Sequence, residues 1–113
     1  MEIYKTTNKI TGDFYIGKAN NPRYDYIGSG TLLKEQIKEY GKENFNYEVL
    51  ISINEDLENS HHLLLFIEHL IIKKHIRNEK CINLSVGSKN SITEYYKKQI
   101  VNIIPDYSDL LGF

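Results

Sequence analysis

Glu2-Ile3-Tyr4-Lys5-Thr6-Thr7 and Phe14-Tyr15-Ile16-Gly17-Lys18 are the two stretches whose reading decides the fold. Both are rich in the β-branched and aromatic residues that strands favour. Asn8 to Asp13 between them supplies turn chemistry, with Gly12 free to take positive φ. The pair reads as a hairpin with a longer loop, and its tyrosines fall eleven residues apart. A loop of this length does not fix register, so whether Tyr4 and Tyr15 share a face is open at the level of sequence.

Working outward, residues 18–30 read as loop, punctuated by Asn20-Asn21-Pro22 and Gly28-Ser29-Gly30. Leu32, Leu33, Ile37 and Tyr40 give an apolar stripe that predicts a helix from about Thr31 to Tyr40, with Gly41 where a left-handed cap belongs. Phe45 to Ile53 reads as a third strand, with Tyr47, Val49 and Ile51 pointing one way and Glu48, Leu50 and Ser52 the other. Asn54 is expected to cap a long helix, with Glu55 and Asp56 in its first turn. It should run to about Arg77, with Asn59-Ser60 as its weak point. Cys81 to Leu84 reads as a short extended segment. Ser91-Ile92-Thr93-Glu94 is a capping-box pattern that should open a helix to about Ile103, ended by Pro105.

The 113 residues suit one domain. No apolar run reaches the roughly 18 residues that would span a bilayer, which predicts no membrane association. No signal-peptide pattern is visible. The single cysteine, Cys81, fits a reducing compartment, and the expected location is cytoplasmic. The formal net charge of −1 offers no global field for nucleic acid. Any affinity for DNA must come from a local patch of lysines and arginines, and would be strongly salt-dependent.

Several side chains carry possible chemistry, and each has a plainer structural reading. Tyr4 and Tyr15 are either packing residues of a hairpin or phenols of a site. Gly17 lets the backbone approach a ligand closely. Lys18 is a surface lysine, or a cation that lowers the pKa of a neighbouring phenol. Arg23, in the loop after the second strand, is an exposed arginine or a bidentate phosphate ligand. Glu68 sits inside Leu63-Leu64-Leu65-Phe66-Ile67 and Leu70-Ile71-Ile72. A carboxylate there is seldom buried without a partner or a metal, unless it marks the polar edge of an amphipathic helix. Asn83, fifteen residues later, can bridge a water or tie backbone groups together. His61, Glu68 and His75 recur at steps of seven, about 10 Å at 1.5 Å rise per residue, too far apart to share one ion.

In order and spacing these segments resemble the GIY-YIG nuclease family. Glu2-Ile3-Tyr4 and Tyr15-Ile16-Gly17 match its two named segments, Glu68 its helical glutamate and Asn83 its later asparagine. Tyr26-Ile27-Gly28-Ser29-Gly30, Leu32-Leu33 and Tyr40-Gly41-Lys42-Glu43-Asn44-Phe45 are similar to a subgroup found among phage and intron-encoded members. The match covers about residues 2–87. Glu2 stands where the family usually has glycine, which bears on local backbone geometry. Arg23 lies slightly closer to Tyr15 than the helix-borne arginine of some members.

The resemblance implies an α+β fold, a small three-stranded antiparallel sheet flanked by helices. Residues 1–88 would form the nuclease domain, and 89–113 a C-terminal helix and tail packed on it. It implies a metal-dependent endonuclease acting on DNA, with one Mg²⁺ (or Mn²⁺) on Glu68, leaving 5′ phosphate and 3′ hydroxyl. Tyr4 would serve as general base or proton relay, its pKa lowered by Lys18 and the metal complex. Tyr15 would position water or phosphate, Arg23 would stabilise phosphoryl charge, and Asn83 would support the site. Gly17 and Lys18 would contact substrate. With only about 25 residues beyond the match, the chain is expected to cut with low sequence specificity, to act as a homodimer, or to rely on a recruiting partner protein. The rival expectations are a catalytically inactive module that kept the fold to bind nucleic acid or protein, and a prophage antagonist that docks through its acidic apolar tail.

Overall fold

A computed structural model describes residues 1–23 and 25–84. The expected helix from Ser91 to Ile103, the tail and the boundary near residue 88 lie outside the described residues. The elements are β1 (Glu2–Asn8), β2 (Phe14–Ala19), α1 (Thr31–Tyr40), a 3₁₀ turn (Lys42–Asn44), β3 (Phe45–Ser52) and α2 (Ser60–His75). The three strands form one antiparallel sheet in the order β2-β1-β3. The fold is α+β, as expected.

The hairpin loop closes on its own polar groups. The Asn8 carboxamide accepts the N–H groups of Ile10 and Thr11, and Gly12 takes φ 81° to return its N–H to the Asn8 carbonyl. That fixes the register left open by the sequence: Tyr4 lies opposite Gly17, and Thr6 opposite Tyr15. Opposed residues share a face, so both phenols lie on the same side of the sheet.

The two faces carry different cargo. One is apolar: Ile3, Phe14, Ile16 and Ile51 meet Leu63, Leu64, Phe66, Ile67, Leu70, Ile71 and Ile72 of α2 in a single core. Each such side chain, fully buried, contributes roughly 1.5–3 kcal/mol over leaving it exposed. The other face holds Tyr4, Tyr15 and Tyr47 under the 25–30 stretch and α1. Thr6 Oγ1 donates to the Ile27 carbonyl and Asn8 to Gln36 of α1, tying that cover down.

Two expectations need correction. Strict alternation along β3 fails, because the pairing slips between Ile3↔Ile51 and Tyr4↔Val49 and leaves Leu50 as an extra residue. The bulge keeps Tyr47 beside Tyr4 while turning Ile51 to the apolar face with Ile3. The long helix does not begin at Asn54. That residue's carboxamide accepts the Asp56 N–H in a local turn, and Asn59 takes the left-handed conformation (φ 59°), so the right-handed run starts at Ser60 and ends at His75. Asn59-Ser60, the expected weak point, is the true start.

Candidate active site

The outer edge of β2 is occupied rung by rung. The Phe14 N–H donates to the Lys80 carbonyl, and the Ile82 N–H donates to the Phe14 carbonyl, both at 2.8 Å. At the next rung a side chain replaces backbone. Asn83 Oδ1 accepts the Ile16 N–H at 2.9 Å, and Asn83 Nδ2 donates to the Ile16 carbonyl at 2.8 Å. One rung further, the Lys18 N–H donates to the Glu68 carboxylate. The glutamate and the asparagine, both remote in sequence from β2, thus stand side by side on one strand.

Beside them opens a cleft of about 250 Å³ lined by Tyr15, Ser29, Thr31, Glu68, Ile72 and Asn83. Glu68 is half-buried, and its burial raises its pKa above the ordinary carboxylate range. The Lys18 ammonium and N–H pull it back in part. Burial also raises the pKa of Tyr15, whose oxygen accepts the Ser29 hydroxyl, and the nearby Glu68 charge pushes the same way. Both groups therefore hold their protons more tightly than they would in water. Gly30 precedes α1 with no side-chain cap on that helix, so its first-turn N–H groups border the cleft without one.

Gly17 has a steric role in the sheet. It sits inside β2, and a Cβ there would lie 2.5 Å from the Tyr4 hydroxyl and 2.9 Å from the Tyr15 ring. Gly30 makes the same allowance on the other side of Tyr15, where a Cβ would come within 2.5 Å of the ring. The Tyr15 ring is seated between two positions that only glycine fits.

Tyr4 stands behind the cleft. It is 1% exposed, stacked on Tyr47 with centroids 4.8 Å apart and tilted against Tyr15 at 6.3 Å. Its hydroxyl is hydrogen-bonded to that of Tyr26. The expected lowering of its pKa by Lys18 does not occur. Burial drives it far above the ordinary phenol value, and the neighbouring phenols Tyr15, Tyr26 and Tyr47 add to the shift. The reason is register. Lys18 pairs with Ile3, one residue along β1 from Tyr4, so its side chain points to the opposite face and serves Glu68.

Arg23 is not brought to the cleft. It is exposed, with its guanidinium 5.5 Å from the Tyr26 ring centroid, and it borders a second concavity of about 310 Å³ with Glu2, Pro22, Tyr26, Ile27 and Tyr47. The Tyr47 hydroxyl donates to Glu2 at 2.8 Å. Sequence reasoning gave no role to Tyr26, Ser29 or Tyr47. The spacing of Gly28 and Gly30 around Ser29 was the available signal, since paired glycines imply something bulky held between them.

One carboxylate at a cleft wall fits a magnesium-type ion, which commonly takes one or two protein carboxylates and completes its shell with phosphate oxygens and water. Among the described residues no group of three or more His, Cys, Asp or Glu side chains could hold a metal, so an all-protein cage is not offered there. His75 lies edge-on to Phe14 at 5.8 Å, and His61 and His62 are exposed. No described helix is long and apolar enough to cross a membrane.

No family profile matches the chain, and no solved structure matches it. Curated proteins do. "Putative endonuclease segE" of Enterobacteria phage T4 is 30% identical over 92 residues, which make up 80% of this chain and 43% of that protein. "Putative endonuclease segB" of the same phage is 33% identical over 88 residues, 76% of this chain and 38% of that protein. "Endonuclease segA", also of phage T4, is 41% identical over 49 residues, 42% of this chain and 22% of that protein. The chain spans about two fifths of the length of the first two.

Proposed function

We propose that the chain is the cutting domain of a DNA endonuclease of the GIY-YIG type, hydrolysing a phosphodiester bond with Mg²⁺ or Mn²⁺ held at Glu68. The observation that carries this reading is convergence: Tyr15, Glu68 and Asn83, far apart in the chain, border one cleft. The naming of the phage relatives as endonucleases supports it.

Glu68 would hold the metal, which when bound polarises a non-bridging phosphate oxygen and aids departure of the 3′ oxygen. Glu68 must be ionised for this, and the Lys18 N–H and ammonium favour that form. Tyr15 keeps its proton at neutral pH, so its hydroxyl acts as a donor that orients the phosphate or the attacking water. Tyr4 is neutral as well. Its part is to fix the Tyr15 ring and to pass protons only along its hydrogen bond to Tyr26, not to act as a free phenolate. Asn83 is a positioning residue, since its carboxamide is tied to both backbone groups of Ile16. The first-turn N–H groups of α1 suit a phosphate oxygen. Arg23 reaches the substrate from the neighbouring concavity.

The test is nicking of supercoiled plasmid with and without Mg²⁺. The wild-type chain should convert it to open circles only with metal. Glu68→Ala should lower that rate at least about a hundredfold, the loss of several kcal/mol of transition-state stabilisation. Undiminished cutting by Glu68→Ala would remove the metal assignment. The second reading, an inactive binding module, is favoured by the burial of Tyr4 and by Arg23 not lining the cleft. It predicts DNA binding without nicking under any divalent ion.

A further inference from the structure

We propose that the second concavity is a nucleobase subsite that takes one unpaired guanine beside the bond to be cut, and this rests on the endonuclease reading above. The residues that carry it are Glu2, Arg23, Tyr26 and Tyr47. At about 310 Å³ the concavity lies at the lower end of the ~300–1,000 Å³ range of small-molecule sites, which favours one nucleotide over a longer segment. It adjoins the cleft. The stretch Tyr26 to Gly30 lines the concavity through Tyr26 and Ile27, then the cleft through Ser29 and Gly30. A strand with its phosphate at Glu68 would bring a neighbouring nucleotide over Tyr26.

The lining chooses among occupants. Two phenol rings and a guanidinium offer flat faces for a base to stack on. Glu2 repels phosphate, so the occupant's contact there is a donor. A carboxylate accepts several hydrogen bonds, and among the described residues Glu2 accepts one, from Tyr47 at 2.8 Å. Guanine presents N1–H and N2–H₂ side by side, matching a carboxylate, with the O6 acceptor beside them for Arg23. Adenine places an acceptor next to its amine, and thymine flanks its single N–H with two carbonyls. Both would set lone pairs against Glu2. These guanine groups are engaged in a paired duplex, so the subsite selects a bulged or unpaired base, the kind that costs least to extrude.

The experiment is fluorescence anisotropy of the full chain in EDTA with labelled duplexes carrying a single bulged dG, deoxyinosine, dA or dT, and with a fully paired control. Deoxyinosine keeps N1–H and O6 and lacks only the N2 amine. The bulged dG duplex should bind about tenfold more tightly than the inosine duplex, a difference of the size expected for one specific base contact. Glu2→Gln should remove that preference while leaving binding of the paired control unchanged, and circular dichroism should confirm its fold. Equal affinity for dG and inosine, or a preference that survives Glu2→Gln, would overturn the subsite and leave the endonuclease reading standing. Absence of binding to every duplex, together with absence of nicking, would overturn both.

Discussion

The missing side chain at Gly17 leaves the space that the Tyr4 hydroxyl fills. Tyr4 is fully buried and stacked, so it has nowhere to retreat when a methyl group arrives 2.5 Å from its oxygen. Gly17→Ala should destabilise the fold by about 1–3 kcal/mol, the usual cost of overpacking, read as a lower melting temperature. Glu68 behaves in the opposite way. Its pKa in the fold lies above its unfolded value, so the folded chain binds the extra proton. Stability from this group is present below the ordinary carboxylate pKa and declines as pH rises through the folded value. Glu68→Gln, which keeps an acceptor for Lys18, should therefore raise the melting temperature at neutral pH, and the gain should vanish in acid. A gain that persists unchanged at low pH would show that burial of charge is not its cause. Glu68 was legible in the sequence because a carboxylate inside an apolar run has few explanations. The setting of Tyr4 was not, because it depends on hairpin register and on Tyr26, which is remote in the chain.

At the level of elements, the site depends on how β2 is edged. Asn83→Ala would leave the N–H and carbonyl of Ile16 without their partners, at a cost of about 1–3 kcal/mol. It should loosen residues 80–83 from the sheet, seen as faster amide hydrogen exchange at Ile16. Unchanged protection there would mean that Lys80 and Ile82 suffice. The strands, α1 and the body of α2 were readable from apolar periodicity, since their patterns are long and unambiguous. The bulge at Leu50 was not, because the apolar run Val49-Leu50-Ile51 does not show which of its residues is the extra one. Only the pairing with β1, which must satisfy the tyrosine face and the α2 face together, forces the extra residue. Asn54 misled for a related reason: an asparagine can cap a helix or close a local turn, and the left-handed Asn59 decides between them.

For the molecule as a whole, charge sets the terms of any encounter with DNA. The net charge is −1, yet Lys73, Lys74 and Arg77 stand exposed just after Ile72, which lines the cleft. Lys18 adds a fourth cation near Glu68. About four phosphate contacts should give a log–log salt slope of about −3 to −4, and Lys73→Glu with Lys74→Glu should flatten it by about 2. A slope unchanged in that variant would place the DNA elsewhere. Three of this patch's cations, Lys73, Lys74 and Arg77, fall within five residues of sequence, and what only the fold adds is Lys18 beside Glu68. The loaded edge of β2 has a last consequence. Sheets recruit other chains sideways, through unspent backbone groups on a bordering strand. Where Lys80, Ile82, Asn83 and Glu68 have already claimed those groups, the strand that carries Tyr15 and Gly17 is closed to the lateral templating from which fibrils grow.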